Sequence, residues 1–398
     1  MLRYPVSSLG EICDITSSKR IYASDYVERG VPFYRSKEII EKHNKKSIST
    51  ELFITEKRYR EIEDRFGVPK VGDLLITAVG TLGIPYVVQK DDYFYFKDGN
   101  LIWFRNLNGV DSRYLYHWIL SGTGKGALAQ TTIGVAQPAY TIANLKDVEL
   151  PLPPISTQRK IAAILTTYDD LIETNKRRIA LLEKMAEEIY REWFVRMRFP
   201  GYRSARFVKG VPENWEHKQF GKFCMLKRGY DLPNALVEDG PYPVVASTSI
   251  KTFHKHYKVE PPVITTGRSG SLGDVLMTQS RAWPLNTSLY VRDFFGNSPY
   301  LVFYTLKSMG LEKFNSGAGV PTLNRNHLNG IPIAVPDKIL QQRFEEFVEP
   351  LHQQAEGFRV ANHTLAKTRD LLLPRLISGK LSVEDLDIQF PPSMEDAA

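Results

Sequence analysis

The sequence is poor in the features that mark secreted, membrane and zinc-binding proteins. Only Cys13 and Cys224 are cysteines, too few for a disulfide framework or a cysteine-based zinc site. His254 and His256 have no third ligand at a useful spacing, so no metal site is predicted. No apolar run approaches the roughly 20 residues that span a bilayer, and no apolar segment follows the first residues. These absences argue against the secreted and membrane classes, and we expect a folded cytoplasmic protein.

Length and charge narrow the remaining classes. The chain has 398 residues, more than one hydrophobic core normally serves, which predicts two domains. Hydrophobic residues make up 42% and charged residues 24%, a balance typical of globular rather than disordered chains. The formal net charge of +7 favours contact with a polyanion, of which nucleic acid is the commonest in a cell. Charge alone does not separate a DNA-binding protein from other basic proteins.

The chain contains an internal repeat, which decides the fold prediction. Short segments recur in the same order in both halves: Leu9–Cys13 with Phe220–Cys224, Leu75–Thr77 with Val263–Thr265, Gly80–Gly83 with Gly270–Gly273, Ser112–Leu115 with Ser298–Leu301, Val148–Pro153 with Ile331–Pro336, and then Gln158-Arg159 with Gln342-Arg343. Each match is weak by itself, but the shared order predicts a duplicated fold.

Each half is predicted to be a β-rich domain followed by a long helix. Val, Ile, Tyr, Phe and Thr are broken by Gly and Pro about every eight to twelve residues, which is strand-and-turn spacing. The first half carries an extra block between Ile39 and Ile76 that includes a short charged helix, Thr55–Phe66. The predicted fold class is therefore α+β, with two β-rich domains in tandem.

Apolar residues at alternating steps of three and four predict a long helix after each domain. A helix with one apolar face must bury it, and the economical partner is its own repeat in an antiparallel coiled coil. Gly357 and Pro374 are expected to kink the second helix. The predicted interface residues are Ile161, Ile164, Leu171, Leu182, Ile189, Phe344, Phe347, Leu351, Leu365 and Leu372.

The resulting organisation has six parts with pseudo-twofold symmetry. The first long helix contains neither Gly nor Pro from Ser156 to Phe199, whereas both are frequent in the β-rich parts, and this change in composition sets the boundaries around it. The predicted ranges are 1–154 for the first β-rich domain, 155–199 for the first long helix, 200–212 for a linker, 213–337 for the second β-rich domain, 338–380 for the second long helix and 381–398 for a tail.

Motifs for catalysis are missing. An [Asn/Asp]-Pro-Pro-[Tyr/Phe] box, which an amino-methyltransferase needs to hold a flipped base, does not occur. The segment Gly122–Gly126 lacks the upstream Gly and the Ser/Thr of a phosphate-binding loop, and we predict a flexible loop near DNA. No serine lies in a Gly-x-Ser-x-Gly elbow. No catalytic residue is therefore predicted.

Polar and basic residues accumulate in the turns of both β-rich domains. Arg and Lys contact guanine edges or phosphates, Asn and Gln address adenine, and Ser and Thr bond either. Ordinary turn composition explains any one cluster equally well, but both halves carry clusters at equivalent places with different side chains, as two different half-sites require. The predicted DNA-binding residues are Lys19, Arg20, Arg35, Ser36, Lys37, Thr77, Lys125, Thr131, Gln137, Lys227, Arg228, Tyr230, Ser247, Thr248, Arg268, Ser269 and Arg325.

Four segments, Leu150–Ala162, Tyr190–Phe194, Gly317–Asn324 and Leu376–Leu381, carry a resemblance to a known family. The family is that of the specificity (S) subunits of type I DNA restriction-modification systems. Leu150–Ala162 looks like the entry into its central helix, and Tyr190–Phe194 is similar to the exit from that helix. Gly317–Asn324 and Leu376–Leu381 are similar to landmarks of the second half. The likeness covers nearly the whole chain in the family's order. The family's target recognition domains diverge freely, so the DNA-binding residues above are not carried over from it.

The resemblance implies a non-catalytic subunit. Each β-rich domain would be a target recognition domain that reads one half of an asymmetric bipartite site in double-stranded DNA, in inverted orientation. The helices would set the spacer and dock two methylation (M) subunits, and restriction/translocase (R) subunits would complete the complex. The chain itself would bind no cofactor, while S-adenosylmethionine, ATP and Mg²⁺ would be held by the partner subunits.

Two alternatives stay open. One is a catalytic DNA methyltransferase or nuclease with degenerate motifs, which would transfer a methyl group or cut DNA by itself. The other is a coiled-coil scaffold that does not bind DNA, which would lack the steep salt dependence of a DNA-binding protein.

Overall fold

A computed structural model describes residues 4–134, 138–247 and 249–395 of the chain. It divides into two compact units: unit 1 comprises Met1–Glu173 and Asn362–Ala398, and unit 2 comprises Thr174–Ala361. Both divisions fall inside long helices, whereas the boundaries predicted from the sequence fall at helix ends. The six predicted ranges therefore stay predictions. No helix in the described ranges is both long and apolar enough to cross a membrane.

Unit 1 begins with short strands and helices that alternate along the chain. Its strands are β1 Val6–Ser8, β2 Asp14–Thr16, β3 Tyr26–Val27, β4 Val31–Tyr34, β5 Phe53–Ile54, β6 Leu74–Thr77, β7 Pro85–Val87, β8 Tyr95–Phe96, β9 Leu101–Arg105, β10 Thr132–Ile133, β11 Ala139–Tyr140 and β12 Glu149–Pro151. Its first helices are α1 Leu9–Ile12, α2 Ser36–His43, α3 Glu56–Phe66, α4 Ser112–Leu120, α5 Gly122–Ala129 and α6 Ile142–Lys146, with a 3-10 turn at Ala23–Asp25. The long helix α7, Ile155–Tyr190, follows and continues as a π-helical turn, Arg191–Val195.

Unit 2 repeats this alternation. Its strands are β13 Phe207–Val208, β14 Val211–Pro212, β15 Glu216–Gln219, β16 Met225–Arg228, β17 Tyr242–Ala246, β18 Ser249–His254, β19 Val263–Gly267, β20 Val275–Thr278, β21 Trp283–Pro284, β22 Ser288–Asp293 and β23 Pro332–Val335. Its short helices are α8 Phe220–Phe223, α9 Pro299–Ser308 and α10 Arg325–Asn329, with 3-10 turns at Tyr202–Ser204, Asn234–Leu236 and Leu311–Phe314. The long helix α11, Lys338–Ile377, returns the chain to unit 1, where α12, Pro392–Glu395, is the last helix.

The two units share their strand order. An antiparallel sheet has the order β2-β9-β6-β7 in unit 1 and β16-β22-β19-β20 in unit 2. Each unit adds a parallel pair, β4 with β8 and β17 with β21. Each also has an antiparallel pair between an early strand and the strand before the long helix that follows its domain, β1 with β12 and β15 with β23. The repeat in the sequence is thus a repeat in topology.

A buried glutamine joins each long helix to the domain that precedes it. The Gln158 Oε1 accepts the Asp111 backbone N–H at 2.9 Å, and its Nε2 donates to the Gly109 and Pro153 carbonyls. In unit 2, Gln341 Oε1 accepts the Ser298 N–H at 2.9 Å, and its Nε2 donates to Pro336 O and Asn297 Oδ1. The sequence comparison paired Gln158 with Gln342, which is wrong by one residue because only Gln341 faces the domain; Gln342 is exposed.

In unit 1 the segments of α7 and α11 run antiparallel. The Arg369 Nη1 donates to Asp169 Oδ1 at 2.5 Å, and Asn362 Nδ2 donates to the Ile172 carbonyl at 3.2 Å. Helix α11 continues through Pro374, so the predicted kink there does not end it. The segment predicted as a tail packs on the same unit, with Val383 buried in its core.

In unit 2 the other segments of the two helices also run antiparallel. Arg359 forms an ion pair with Glu183, and the rings of Tyr190 and Phe344 lie with centroids 6.2 Å apart. Helix α11 continues through Gly357 here. Aromatic rings dominate this contact, and each ring buries a large apolar area against its neighbours.

The predicted helix interface needs two corrections. Leu171 is 47% exposed and Phe347 is 57% exposed, although Phe347 still touches the edge of the Trp193 ring at 5.5 Å. Their neighbours Ile172, half-buried, and Val348, fully buried, occupy the covered face. In each case two apolar residues are adjacent in the sequence, and steps of three and of four residues fit the periodicity equally, so the pattern selected the wrong residue of the pair. The predicted residues that are buried or half-buried are Ile161, Ile164, Leu182, Ile189, Phe344, Leu351, Leu365 and Leu372.

Candidate nucleic-acid interface

In unit 1 the backbone carbonyl of Asn100 accepts hydrogen bonds from two other segments of the chain. The Asn100 carbonyl, just before β9, accepts the Ser36 hydroxyl at 3.2 Å and the Ala78 N–H at 2.8 Å. Ser36 begins α2, and Ala78 follows the last residue of β6. We call Ser36, Ala78 and Asn100 the first junction. Its hydrogen bonds connect the end of β6, the start of α2 and the residue before β9, at one end of the strands of the sheet.

Unit 2 contains the same arrangement. The Thr287 carbonyl, just before β22, accepts the Arg268 N–H at 2.8 Å and lies 3.4 Å from the Ser247 hydroxyl, which also donates to Ser269 O at 2.9 Å. Arg268 follows the last residue of β19. We call Ser247, Arg268 and Thr287 the second junction. It brings the predicted DNA-binding residue Ser247 to the predicted pair Arg268 and Ser269, which follow β19.

A glycine turn borders each junction. Gly80 has a φ of +74° and Gly270 a φ of +93°, in the left-handed region that favours glycine. Both glycines are exposed. The loops that follow α5 in unit 1 and α9 in unit 2 cross these turns, through the bridges Val79–Ala139 and Ser269–Thr322. The Thr248 and Gln137 predictions lie outside the described residues.

Four other predicted residues of unit 1 already have partners. Arg20 pairs with Asp98 at 2.7 Å, and Arg35 pairs with the buried Glu38 at 3.0 Å. The hydrogen bond that Arg35 donates to the Glu38 carboxylate raises the pKa of Arg35 above its ordinary value. Lys19 places its ammonium 5.0 Å from the centroid of the Phe66 ring, and Lys37 donates to Ser49 O at 3.5 Å. Lys19, Arg20 and Lys37 are exposed, so they remain able to approach a polyanion.

Thr77 does not fit its predicted role. Its side chain is fully buried, and its hydroxyl donates to the Thr81 carbonyl and accepts the Ile84 N–H at 2.9 Å. The hydroxyl therefore holds the β6–β7 turn in shape, and Thr77 as a direct DNA contact is wrong. The residue belongs to the end of β6, where alternate side chains point into the protein.

Lys125 and Thr131 lie on or beside a helix rather than in a flexible loop. The segment predicted as that loop forms α5, whose start is capped by the Ser121 hydroxyl accepting the Gly124 N–H at 3.0 Å. The loop prediction was wrong because the capping serine outweighs the low helix propensity of the glycines. Lys125 is exposed on α5, and the Thr131 hydroxyl donates to Leu128 O at the helix end.

The remaining predicted residues of unit 2 lie around β16. Arg228 pairs with Asp231 at 3.5 Å, and Arg325 Nη1 donates to the Leu226 carbonyl at 3.0 Å. The Tyr230 hydroxyl hydrogen-bonds the Tyr290 hydroxyl at 2.9 Å, and the Lys227 ammonium lies 5.7 Å from the centroid of the Tyr230 ring. Two cationic side chains and an aromatic ring therefore share this strand end.

Sequence reasoning missed three residues of this region. Asn100 and Thr287 act through backbone carbonyls, which carry no side-chain signature. Lys258 lies with its ammonium 4.8 Å from the centroid of the Trp283 ring and 5.8 Å from that of Tyr230. Trp283 and Tyr230 are distant from Lys258 in the sequence, so this cation–π cluster forms only in the fold. No group of three or more His, Cys, Asp or Glu side chains suited to a metal ion occurs in the described ranges.

Comparison with known proteins identifies the family. Residues 2–184 and 212–357 match the model of the type I restriction modification DNA specificity domain. These two segments make up most of the chain, so the chain belongs to this family. It is a specificity subunit of a type I restriction-modification system, with the recognition domain present twice in tandem, as the resemblance implied.

Individual relatives agree. The MjaIX type I restriction enzyme specificity subunit of Methanocaldococcus jannaschii is 27% identical over 366 residues, which cover 84% of this chain and 82% of the relative. The putative specificity subunit S.HindORF215P of Haemophilus influenzae is 30% identical over 192 residues, 47% of this chain and 46% of the relative. The crystal structure of an S subunit from M. genitalium is similar with a TM-score of 0.60 at 16% identity, covering 94% and 96% of the two chains. The predicted α+β class with tandem domains and long helices is confirmed.

Proposed function

We propose that this chain is the non-catalytic, DNA-reading subunit of its restriction-modification complex, and that each unit reads one half of an asymmetric bipartite site in double-stranded DNA. The observation that carries the proposal is the junction. Its backbone hydrogen bond recurs in both units, from Ala78 to Asn100 O and from Arg268 to Thr287 O, whereas the side chains at the two donor positions differ. A repeated framework with different polar groups suits two half-sites of different sequence.

The long helices supply the second part of the proposal. We place the docking of two methylation subunits on α7 and α11, and we assign the spacer between the half-sites to their length. A contiguous patch of exposed apolar side chains marks a site of contact with other proteins. Exposed apolar side chains on these helices include Leu181, Met185, Phe347, Val360 and Leu371, and we assign them to the methylation subunits.

The catalytic steps of the complex are assigned in this proposal to the partner subunits. In this proposal S-adenosylmethionine, ATP and Mg²⁺ are bound by the methylation and restriction/translocase subunits, and this chain contributes sequence recognition in the cytoplasm. The absence of an amino-methyltransferase box in the sequence supports this division of labour.

Two measurements test the proposal. Methylated adenines are mapped in cells that carry the complex with and without this chain, and a bipartite target that depends on the chain is expected. The affinity of the purified complex for that target is then measured against salt, where log K should fall linearly with log salt as phosphate contacts release counterions. Affinity independent of salt and sequence would favour the scaffold alternative, and methyl transfer or cleavage by the chain alone would favour the catalytic one.

A further inference from the structure

The two junctions are equivalent residue by residue. In β6 the last residue, Thr77, pairs with Leu101, and in β19 the last residue, Gly267, pairs with Ser288. The next residue in each strand, 78 or 268, donates its N–H to the residue just before the partner strand, 100 or 287. Positions 78 and 268 are therefore the same place in the fold, and their side chains can be compared directly.

The side chains at this place differ in a way that matters for base recognition. Ala78 is 2% exposed and has no polar group beyond its backbone. Arg268 is half-buried, and its Nη1 donates to the Asn286 carbonyl at 3.2 Å. A carbonyl anchors a guanidinium without neutralising its charge, and a guanidinium has five N–H donors in a fixed fork. Most of the donors of Arg268 therefore remain for another acceptor.

Three of the other predicted arginines differ from Arg268 in this respect, while Arg325 is also anchored by a backbone carbonyl, that of Leu226, but lies outside the junction. Arg20, Arg35 and Arg228 each pair with a carboxylate at 2.7, 3.0 and 3.5 Å. No ion pair that involves Arg268 is found in residues 4–134, 138–247 and 249–395. Arg268 is thus held in place while its charge stays uncompensated, as a group that meets a polyanion requires.

The backbone of Arg268 is fixed on both sides. Its N–H donates to Thr287 O at 2.8 Å, and its carbonyl accepts the Leu323 N–H at 2.8 Å. The next glycine, Gly270, donates to Pro321 O at 2.9 Å, which fastens the turn to the loop that crosses it. A recognition residue on a backbone fixed in this way loses little conformational entropy on binding.

We propose that Arg268 reads a guanine in the half-site of unit 2, through bidentate hydrogen bonds to O6 and N7 in the major groove, and that the equivalent position in unit 1, Ala78, reads no base through its side chain. The inference rests on the proposed function, since it assigns one base contact within the DNA-reading role. Bidentate contact of arginine with guanine is the commonest specific pairing in protein–DNA complexes. At this position the two units therefore read their half-sites differently.

The test uses the full chain in its complex with the methylation subunits. The variants Arg268→Ala and Arg268→Gln are compared with wild type by mapping methylated adenines and by measuring affinity for targets changed at single base pairs. The control is Arg292→Ala, an exposed arginine near the other end of β22. Both Arg268 variants should accept additional bases at one G·C pair of one half-site, with discrimination reduced on the order of tenfold. The other half and the control should match wild type.

Three outcomes overturn the inference. An unchanged target in both Arg268 variants would show that the residue does not read a base. Weaker binding to all sequences without relaxation at one position would make it a phosphate contact. A wild-type complex with no bipartite target would remove the proposed function first and the inference with it. Arg268→Ala keeps the backbone hydrogen bonds, and Arg268→Gln also keeps a donor for Asn286, so thermal unfolding of each variant separates loss of folding from loss of recognition.

Discussion

In unit 1 the chain leaves the first junction as helix α2, whereas in unit 2 it leaves the second junction as the hairpin partner β18. Unit 1 then adds helix α3, which is anchored by the buried Tyr59 and Ile62 and has no equivalent in unit 2. The central sheets keep the same order throughout. The comparison teaches that the hydrogen-bonded sheet edge is common to both units, while the segments that extend from it vary.

A second comparison concerns the contact between each domain and a long helix. In unit 1, His117 on α4 lies 3.3 Å from the Thr166 hydroxyl of α7, with Asp169 nearby. In unit 2 the histidine is on the long helix, where His352 Nε2 hydrogen-bonds the Tyr304 hydroxyl of α9 at 2.8 Å. Each contact therefore contains one buried histidine, on opposite partners. Both domains therefore contact a long helix through a buried histidine, but the hydrogen-bond partner of that histidine differs.

The largest expected effect comes from exchanging a whole reading domain. Replacing residues 1–150 by the first domain of another family member should change one half of the methylated sequence completely and leave the other half intact, because each unit has its own core and junction. The measurement is the map of methylated adenines. A change in both halves would contradict independent reading by the two units.

The next effect concerns the helices that both units share. Four residues inserted near Lys176 and four near Val360 add one helical turn to each helix, about 6 Å at 1.5 Å per residue. The spacer between the half-sites should lengthen by roughly one base pair, since the added length projects imperfectly onto steps of ~3.4 Å. An insertion in one helix only is the control, because it disrupts the antiparallel contacts. An unchanged spacer in the double insertion would refute the assignment of spacing to the helices.

The repeat and both long helices could be predicted from the sequence, because the order of the matching segments and the spacing of the apolar residues can be read from it directly. Sequence reasoning missed the junction because Asn100 and Thr287 contribute only carbonyls, whose position depends on strand pairing. It placed Leu171 in the helix contact instead of Ile172, because the two apolar residues are adjacent and steps of three and of four fit the periodicity equally. It paired Gln342 with Gln158, because Gln341 and Gln342 are adjacent and only the fold shows which of them is buried.

The glutamine pair provides a stability test of the repeat. Gln158→Ala and Gln341→Ala should each lower the free energy of unfolding by about 3 kcal/mol, because a buried N–H loses its acceptor and carbonyls lose their donor. Chemical denaturation is the measurement. Gln342→Ala is the matched control, since Gln342 is exposed and its Nε2 lies 3.4 Å from Glu346. A loss in only one of the two units would show that the glutamines do not play the same part in both.

The smallest effect concerns pH. Burial lowers the pKa of both His117 and His352 to about 4. Burial is the largest cause of both pKa shifts, and the positive charges of Arg369 and Arg113 beside His117, and of Arg359 and Lys307 beside His352, lower the pKa further; only Asp169, beside His117, raises it. An unfolded histidine takes up a proton near pH 6.5, which the folded protein resists down to about pH 4. The stability that each neutral histidine provides is therefore complete above about pH 6.5 and declines as the pH falls towards 4.

His117→Gln and His352→Gln should each flatten the fall in stability between about pH 7 and 5, whatever their effect at neutral pH, because glutamine does not titrate. Urea denaturation at a series of pH values is the measurement, with the exposed His217→Gln as the control. Equal flattening by both variants would mean that the buried neutral histidine has the same effect on stability whether it lies on the domain helix or on the long helix. A slope that is unchanged in His117→Gln but reduced in His352→Gln would show that Asp169, which faces His117 and has no counterpart beside His352, offsets the burial in unit 1 alone.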